Sequence, residues 1–205
     1  MKNKVWMASG LALSLITSNL TATAVVYSRR DISARESAPN ATPWGGWSIR
    51  TYCPEGSYVG GYKMRVEGQR GSKDDTALNA VYLYCYDRTG KLVDGFQPHQ
   101  GHWGDWGQPA NCPTGTYATA FMLKVEPPQG KGDDTGANSV KFNCSNGSVI
   151  EASGGGAWGS WTSSWVTDTG SWPSAICGVS ARVEGWQGTG DDTALNDLEF
   201  TWCYL

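Results

Sequence analysis

Beyond its first 24 residues, the chain lacks any apolar run near the ~18 residues that a membrane-spanning helix needs. It also lacks a Cys-x-x-Cys pair, so it offers no zinc or dithiol redox motif of that kind. Acidic and basic residues are interspersed, and the net charge is −3, so no basic block is present to attract nucleic acid. We therefore expect neither a nucleic-acid partner nor membrane insertion.

Histidines and helix-forming runs are also scarce. Only His99 and His102 occur, and no nucleophile-elbow pattern accompanies them, so a catalytic triad or a His-rich metal site has little material. We predict that both histidines lie in a loop, and we predict no cofactor and no metal. Glycine (27 residues) and tryptophan (11 residues) are frequent, whereas runs of Ala, Leu, Glu and Lys are rare. This composition is typical of short strands joined by tight turns.

The N-terminal part has the pattern of an export signal. Residues 1–24 combine a charged start, an apolar stretch and the small-residue cleavage site Ala22-Thr23-Ala24, as signal peptides do. Residues 25–42 are polar and show no apolar period, so we predict a flexible leader there. A single folded domain should occupy residues 43–205. We expect a secreted, extracellular protein.

The folded domain contains one sequence pattern three times. Trp-Gly-x-Trp, Val-Glu and Asp-Asp-Thr recur in the same order, and the copies of Asp-Asp-Thr begin 59 and then 58 residues apart. A period this regular indicates an internally repeated fold. The three Trp-Gly-x-Trp copies begin at Trp44, Trp103 and Trp158, and we place the repeats at about 43–102, 103–157 and 158–205.

Two stretches of each repeat alternate between apolar and polar residues, which is the period of a β-strand. In the first repeat they are residues 62–66, before Val-Glu, and residues 81–85, after Asp-Asp-Thr. No stretch of ten or more residues shows a helical period. We predict an all-β barrel, sandwich or prism with pseudo-threefold symmetry.

Six cysteines in an exported chain indicate three disulfides. The first two repeats each hold two cysteines separated by 32 residues at equivalent places, so pairing within repeats treats equivalent positions alike. The predicted pairs are Cys53–Cys85, Cys112–Cys144 and Cys177–Cys203.

The third pair is out of register with the other two. When the repeats are aligned on Val-Glu, Cys177 falls opposite Gly60, and Trp202 falls opposite Cys85 with Cys203 one place further. Both ends have moved, as a relocated disulfide requires. The third repeat is therefore the divergent one.

The acidic residues of each repeat allow two interpretations. The Asp, Thr and Asn side chains of the Asp-Asp-Thr-x-x-Asn segments are of the types that commonly hold turns together. Alternatively, the carboxylates of these segments bind sugar hydroxyls or calcium. A calcium site needs roughly six to eight oxygens. The Val-Glu glutamates either have a surface or turn role or take part in glycoside chemistry, which needs two carboxyls in unlike environments. Because each motif occurs in three similar copies, a structural role is favoured over a catalytic one. The candidate substrate-binding residues are Glu67, Asp74, Asp75, Glu126, Asp133, Asp134, Glu184, Asp191, Asp192 and Trp186.

The tryptophans and one asparagine complete the candidate positions. Tryptophans that recur with the repeat are most simply explained by core packing, although an exposed subset could stack on sugar rings. The third repeat holds additional tryptophans, namely Trp161 within the motif and then Trp165, Trp172 and Trp186, and they are a candidate ligand face. Asn146-Gly147-Ser148 is a predicted glycosylation site in a turn.

Trp-Gly-x-Trp, a cysteine, Val-Glu and Gly-x-Asp-Asp-Thr-Ala-Leu-Asn, in this order and three times over, resemble the vitelline membrane outer layer protein I family. The resemblance covers about residues 43–205, and residues 190–196 are its most specific segment. It implies a β-prism of three Greek-key sheets with about four strands each. It also implies an extracellular coat or secretion protein with affinity for N-acetylglucosamine oligosaccharides and at most weak transglycosylation.

The family resemblance and the triplication together favour a non-enzymatic coat protein that binds an oligosaccharide or glycoprotein matrix. Two alternatives stay open at this point. One is a glycosidase or transglycosylase that acts on chito-oligosaccharides through a carboxylate pair. The other is a purely mechanical or antimicrobial secretion component without a sugar site.

Overall fold

A computed structural model describes residues 32–69, 76–99, 101–130, 134–188 and 192–205. These residues form strands and turns without any helix, so they include no helical segment that could cross a membrane. The predicted signal peptide and residues 25–31 lie outside the described residues. In chain order, the strands are β1 (Ile32–Glu36), β2 (Gly46–Trp47), β3 (Thr51–Tyr52), β4 (Ser57–Val66), β5 (Leu78–Asp87), β6 (Leu92–Phe96), β7 (Asp105–Trp106), β8 (Ala110–Asn111), β9 (Ala118–Val125), β10 (Ala137–Cys144), β11 (Val149–Glu151), β12 (Ser160–Trp161), β13 (Val166–Thr167), β14 (Ser174–Val183) and β15 (Leu195–Tyr204).

The strands form three antiparallel sheets of five strands each. The first sheet has the order β6-β5-β4-β7, the second β11-β10-β9-β12 and the third β1-β15-β14-β2. The short strands β8, β13 and β3 pair with β4, β9 and β14 beside the last strand of each sheet. In the first and second sheets the fourth strand returns to lie beside the first, which is the Greek-key order. The predicted all-β prism is confirmed.

The core lies where the inward faces of the three sheets meet. Tyr62 of the first sheet, Phe142 of the second and Phe200 of the third are fully buried. The ring centroids are 4.7 Å apart for Tyr62 and Phe142, and 5.3 Å for Phe142 and Phe200. Tyr62 also donates a hydrogen bond to the Val140 carbonyl at 2.5 Å and accepts one from the Ala152 amide at 2.8 Å. The first two sheets are therefore joined inside the core by polar as well as apolar contacts.

Each Trp-Gly-x-Trp segment crosses onto a sheet whose long strands belong to a different repeat. The central glycines have φ near +80° and lie so close to a strand that an added Cβ would stand 2.2–2.3 Å from a backbone carbonyl carbon. Only glycine fits such a position. The pairs are Gly45 with Val183, Gly104 with Val66 and Gly159 with Val125. The repeat boundaries predicted at 103 and 158 therefore run through the first and second sheets.

The N-terminal segment completes the third sheet. Strand β1 pairs with β15 at the place where β6 and β11 pair with β5 and β10. Ala38 and Thr42 are buried, and the Asn40 amide donates to the carbonyls of Leu123 and Ser160 in the second sheet. The interpretation of residues 25–42 as a flexible leader therefore does not hold for residues 32–42. Their polar composition concealed a strand because their partner lies at the other end of the sequence.

The disulfides join elements that are distant along the chain. The first connects the segment after β3, in the third sheet, to β5 in the first sheet, and the second connects the segment after β8 to β10 in the second sheet. The third lies within the third sheet, between β14 and β15. All three are the predicted pairs: Cys53–Cys85, Cys112–Cys144 and Cys177–Cys203.

The junction between the second and third sheets has no disulfide. The strand register places Asp168 and Trp202 at the positions that the two cysteines occupy in the other junctions. Asp168 accepts hydrogen bonds from the hydroxyls of Ser33 and, at 2.6 Å, Ser174. Trp202 is fully buried, and its Nε1 donates to the Thr119 carbonyl at 2.8 Å. Hydrogen bonds and an indole ring therefore take the place of a covalent link.

Replacing Cys53 and Cys85 together by serine should lower the free energy of unfolding by about 2–4 kcal/mol, because the unfolded chain loses a loop constraint. Urea denaturation measures this loss. The Cys177→Ser, Cys203→Ser variant is the control, because it removes a disulfide inside one sheet. Amide exchange of β3 should accelerate only in the first variant. Equal exchange of β3 in both variants would contradict an inter-sheet role.

The carboxyl group of Asp197 holds the N-terminal segment on β15. Its Oδ1 accepts hydrogen bonds from the amides of Leu198 at 2.7 Å and Ala38 at 3.3 Å. Burial raises the pKa of Asp197 to about 6, against the opposing effect of these hydrogen bonds. The folded protein therefore favours the protonated carboxyl more than the unfolded chain does.

The Asp197→Asn substitution should make the protein more stable than the wild type at pH 7 but not at pH 4. The stabilisation that protonated Asp197 provides is complete below about pH 4, the unfolded pKa, and is lost as the pH rises through about 6. The loss in the wild type reaches about 3 kcal/mol at pH 7. Urea denaturation of both proteins between pH 4 and 7 measures the difference, and a difference independent of pH would refute this role of Asp197.

Candidate functional site

The Val-Glu and Asp-Asp-Thr-x-x-Asn motifs meet in one hydrogen-bond network per repeat. In the first repeat, Thr76 Oγ1 donates to Glu67 Oε2 at 2.8 Å, and Asn79 Nδ2 donates to Thr76 Oγ1 at 2.6 Å. Asn79 Nδ2 also donates to the Ala77 carbonyl at 3.2 Å. The same contacts join Glu126, Thr135, Gly136 and Asn138 in the second repeat, and Glu184, Thr193, Ala194 and Asn196 in the third.

The network holds one residue of each loop in the left-handed region. Ala77 has φ 45°, Gly136 φ 60° and Ala194 φ 50°, which L-residues other than glycine rarely adopt. The carbonyl of Ala77 accepts hydrogen bonds from the Glu67 amide as well as from Asn79, so its orientation is fixed from two sides. These contacts support a turn-forming role for the glutamate, threonine and asparagine side chains.

The second aspartate of the pair also bonds to the backbone. Asp134 and Asp192 are buried, and the Oδ1 atom of each accepts a hydrogen bond at 2.6 Å, from the Gln129 amide and the Gln187 amide respectively. This arrangement again closes the loop rather than exposing a carboxylate. The other candidates of this motif, Asp74, Asp75, Asp133 and Asp191, lie outside the described residues.

The three loops surround the axis at one end of the prism. An added Cβ on Gly156 would lie 3.2 Å from the Cβ of Ala77, and one on Gly136 would lie 3.1 Å from the Thr193 carbonyl oxygen. Each glutamate bonds the threonine of its own repeat, so the three have similar partners. Among the described residues the three glutamates therefore share one kind of hydrogen-bond partner, while their burial differs, since Glu67 is buried and Glu126 and Glu184 are partly exposed.

Both histidines lie at this end of the prism, in the segment before β7. His99, His102 and Trp103 line a cavity of about 190 Å³ together with Glu184 and Ala194 of the third repeat. Burial and then the neighbouring His102 lower the pKa of His99 below its ordinary value. Within the described ranges, no cluster of three or more His, Cys, Asp or Glu side chains could hold a metal ion.

The six tryptophans of the Trp-Gly-x-Trp motifs are not core residues. The prediction from the sequence is that they fill the ends or the interior of the prism; all six are partly or largely exposed, so none fills the interior, and among the described residues the fully buried indole is that of Trp202. The second tryptophan of each motif lies on the outer face of a sheet beside a cation. The ring-to-cation distances are 4.8 Å for Trp106 and Lys63, 4.2 Å for Trp161 and Lys141, and 5.9 Å for Trp47 and Arg182.

The additional tryptophans of the third repeat do not form one face. Trp161 and Trp165 flank Lys141 on the second sheet. Trp172 is 73% exposed and precedes β14, whereas Trp186 is 68% exposed and follows β14. A strand of ten residues spans about 30 Å, so these two rings lie at opposite ends of the prism. Of the predicted ligand-binding residues that the structure describes, Trp186 is the one whose side chain is largely exposed next to the acidic loops.

A further pocket, which the sequence did not predict, lies at the other end of the prism. It lies between the third and first sheets, has a volume of about 190 Å³, and is bordered by the Cys177–Cys203 disulfide. We call it the tyrosine pocket; its main lining residues are Tyr52, Glu55, Tyr58, Arg88 and Tyr204. The displaced third pair of cysteines was the available sequence signal for it.

Comparison with known proteins assigns the chain to a family. The family model of vitelline membrane outer layer protein I (VOMI) matches residues 35–205. The chain belongs to the vitelline membrane outer layer protein I family. The vitelline membrane outer layer protein 1 homolog of Homo sapiens is 38% identical over 169 residues, or 78% of each chain. That of Mus musculus is 36% identical over 168 residues, or 80% of each chain. The resemblance seen in the repeats is confirmed.

Solved structures with a similar fold are β-prism lectins. The Calsepa lectin, in complex with a biantennary N-glycan, matches with a TM-score of 0.53 over 84% of this chain and 97% of its own, at 12% identity. A mannose-binding lectin from champedak matches with a TM-score of 0.52 over 83% of this chain and 96% of its own, also at 12% identity. At this level of identity, the likeness concerns the fold alone.

Asn146 lies exposed in the turn between β10 and β11, and its Oδ1 accepts hydrogen bonds from the amide and hydroxyl of Ser148. Glycosylation at this position stays a prediction. Asn40 begins a second sequon, Asn40-Ala41-Thr42, and uses its amide for the backbone contacts of the N-terminal segment.

Replacing Thr76 by valine should lower the free energy of unfolding by about 1.5–3 kcal/mol, because the buried Glu67 loses a hydroxyl donor. The matched variant Thr193→Val removes the same contact from Glu184, which is more exposed and can be hydrated. Its loss should be smaller. Urea denaturation compares the two, and equal losses would show that burial of the carboxylate does not decide the cost.

Proposed function

We propose that the protein is a secreted structural protein of an extracellular layer and binds N-acetylglucosamine-type oligosaccharides weakly at several places. The observation that carries this proposal is the set of tryptophans on the outer faces of the prism. Trp47, Trp106 and Trp161 occupy equivalent positions, and each lies beside a basic side chain. A ring face and a neighbouring N–H donor together match the apolar and hydroxyl-bearing sides of a sugar.

The first sheet offers the richest of these faces. Tyr82 and Tyr84 lie beside each other with ring centroids 5.2 Å apart, and Trp106 meets Tyr82 edge to face at 6.3 Å. Lys63 Nζ stands 5.2 Å from the Tyr82 centroid and 4.8 Å from that of Trp106. The tyrosines alternate with the inward residues of β5, so the face follows directly from the strand pattern.

The direction of the three faces supports a structural role. The sheets surround one axis, so their outer faces point away from each other and cannot grip one short sugar together. One molecule would instead contact up to three separate glycan chains. Weak contacts of this kind cross-link a matrix through their number rather than through the strength of each.

The disulfides, the predicted signal peptide and the family membership also support an extracellular protein. Three disulfides, a predicted signal peptide and membership of the VOMI family support secretion. The β-prism is the fold that the Calsepa and champedak lectins use, and their names describe glycan ligands. No contact among the described residues favours the glycosidase alternative, because the three glutamates have like partners.

Replacing Trp106 by alanine should reduce the number of chito-oligosaccharides bound per molecule by one, because one aromatic face is lost while the others stay intact. Trp161→Ala should act in the same way. Tryptophan fluorescence titration and calorimetry with chitotriose measure the stoichiometry. Retention on immobilised chito-oligosaccharide should fall up to about tenfold with each substitution.

The matched control is Trp186→Ala, which removes an exposed ring beside the acidic loops. It should leave both stoichiometry and retention unchanged. Loss of binding in this variant but not in Trp106→Ala would place the sugar at the loops around Glu184 instead. No response of the wild type to millimolar sugar would reject the proposed function.

A further inference from the structure

Two pockets occupy equivalent junctions at the end of the prism opposite the acidic loops. One, of about 180 Å³, lies between the first and second sheets and is lined by Tyr86, Asn111, Thr114 and Thr116 among others. The other is the tyrosine pocket, between the third and first sheets. The alignment of the repeats places Tyr52 opposite Asn111 and Glu55 opposite Thr114. The two pockets are therefore one structural position with different side chains.

The relocated disulfide accounts for part of the difference. In the first sheet, the Tyr86 ring covers Gly60 so closely that an added Cβ would lie 2.7 Å from Tyr86 Cδ2. The Tyr86 hydroxyl is within hydrogen-bond distance of Asn111 Oδ1, at 3.1 Å. In the third sheet, Cys177 and Cys203 stand in the places of Gly60 and Tyr86. A compact disulfide thus replaces a large ring as one wall of the tyrosine pocket.

The tyrosine pocket combines aromatic rings with one cationic hydrogen-bond donor, Arg88, and one anionic acceptor, Glu55. The Tyr58 hydroxyl donates to the Tyr204 carbonyl at 2.6 Å, and Arg88 Nη2 donates to the Tyr58 oxygen at 3.4 Å. Arg88 is exposed and forms no salt bridge with any carboxylate in the described part of the chain. Glu55 is also exposed and lines the same pocket. The second pocket has no charged side chain among its described lining residues.

The size of the tyrosine pocket corresponds to one sugar ring. Its volume of about 190 Å³ is below the roughly 300–1,000 Å³ of sites for drug-sized ligands, so it suits a ligand no larger than a single ring with its substituents. Pockets that hold small organic ligands are typically lined by aromatic side chains with a few polar groups that fix the orientation. A pyranose unit has a C–H face for the rings and hydroxyls that both donate and accept.

We infer that the tyrosine pocket binds one neutral pyranose unit of a glycan, with Glu55 accepting from and Arg88 donating to its hydroxyls, and with the tyrosine rings along its apolar side. The inference rests on the proposed function, because it assumes that the protein binds glycans. It adds a site that is separate from the outer faces and occurs once per chain. A charged sugar gains no net advantage there, since Glu55 repels an anion that Arg88 attracts.

Chemical-shift mapping of the isotope-labelled, disulfide-bonded protein tests the site. The probes are the methyl pyranosides of glucose, mannose, galactose and N-acetylglucosamine, with methyl glucuronide as the charged comparison. At least one neutral glycoside should shift the amides of Glu55, Arg88 and Tyr204. Glucuronide should bind no better than methyl glucoside. A preference for glucuronide of tenfold or more would overturn the assignment of a neutral ligand.

Paired substitutions separate the site from its equivalent. The double variant Glu55→Ala, Arg88→Ala should weaken binding by about tenfold or more, because two charge-assisted hydrogen bonds are lost. The control Thr114→Ala, in the second pocket, should bind as the wild type does. All three residues are exposed, and retained stability and disulfides are checked by thermal unfolding.

Besides a preference for glucuronide, three further results would overturn the inference. Shifts confined to the outer faces around Trp106, or to the acidic loops, would do so while leaving the proposed function in place. Unchanged affinity in the double variant would do so as well. If neither the monosaccharide probes nor chitotriose shifts any resonance, the inference and the proposed function fail together.

Discussion

The prism depends on the exchange of short segments between neighbouring repeats. Each sheet consists of two long strands from one repeat and is completed by a Trp-Gly-x-Trp segment from another, which lies so close to the long strand that only glycine fits at the crossing. No repeat can therefore complete its own sheet. The inward faces meet in one core because the exchange fixes the sheets around a common axis. The three repeats therefore form one domain in which each repeat needs a neighbour to complete its sheet, rather than three small domains.

The ring of three sheets has one atypical junction, and the chain secures it by other means. Two junctions carry a disulfide, whereas Trp202 and Asp168 stand at the corresponding places of the third. An indole fills the core there, and Asp168 binds Ser33 of the N-terminal strand. The same contacts therefore hold the second and third sheets together and hold β1 in place on β15. The third disulfide, Cys177–Cys203, lies within the third sheet instead of between two sheets.

Repetition made much of the fold predictable from the sequence. Regular spacing identified the repeats, alternation identified the long strands around Tyr62 and Val81, and equivalence identified the disulfide pairs. Two predictions failed because they rest on distant contacts. Strand β1 has little apolar character, and its partner β15 is remote in sequence. The motif tryptophans recur as core residues would. They recur, however, because each motif segment crosses onto the outer face of a neighbouring sheet. Recurrence alone does not distinguish a core position from a surface position.

The same repetition limits where a specialised site can arise. Networks that recur in three copies, such as Glu67 with Thr76 and Asn79, keep the same hydrogen bonds and serve the loop in every repeat, although the burial of the glutamate differs. A site with its own specificity needs a position where the copies differ. The tyrosine pocket is such a position, since its Glu55 and its disulfide wall replace Thr114 and Tyr86 of the equivalent pocket. In a triplicated prism the departures from symmetry, rather than the repeated motifs, are therefore where selective recognition can develop.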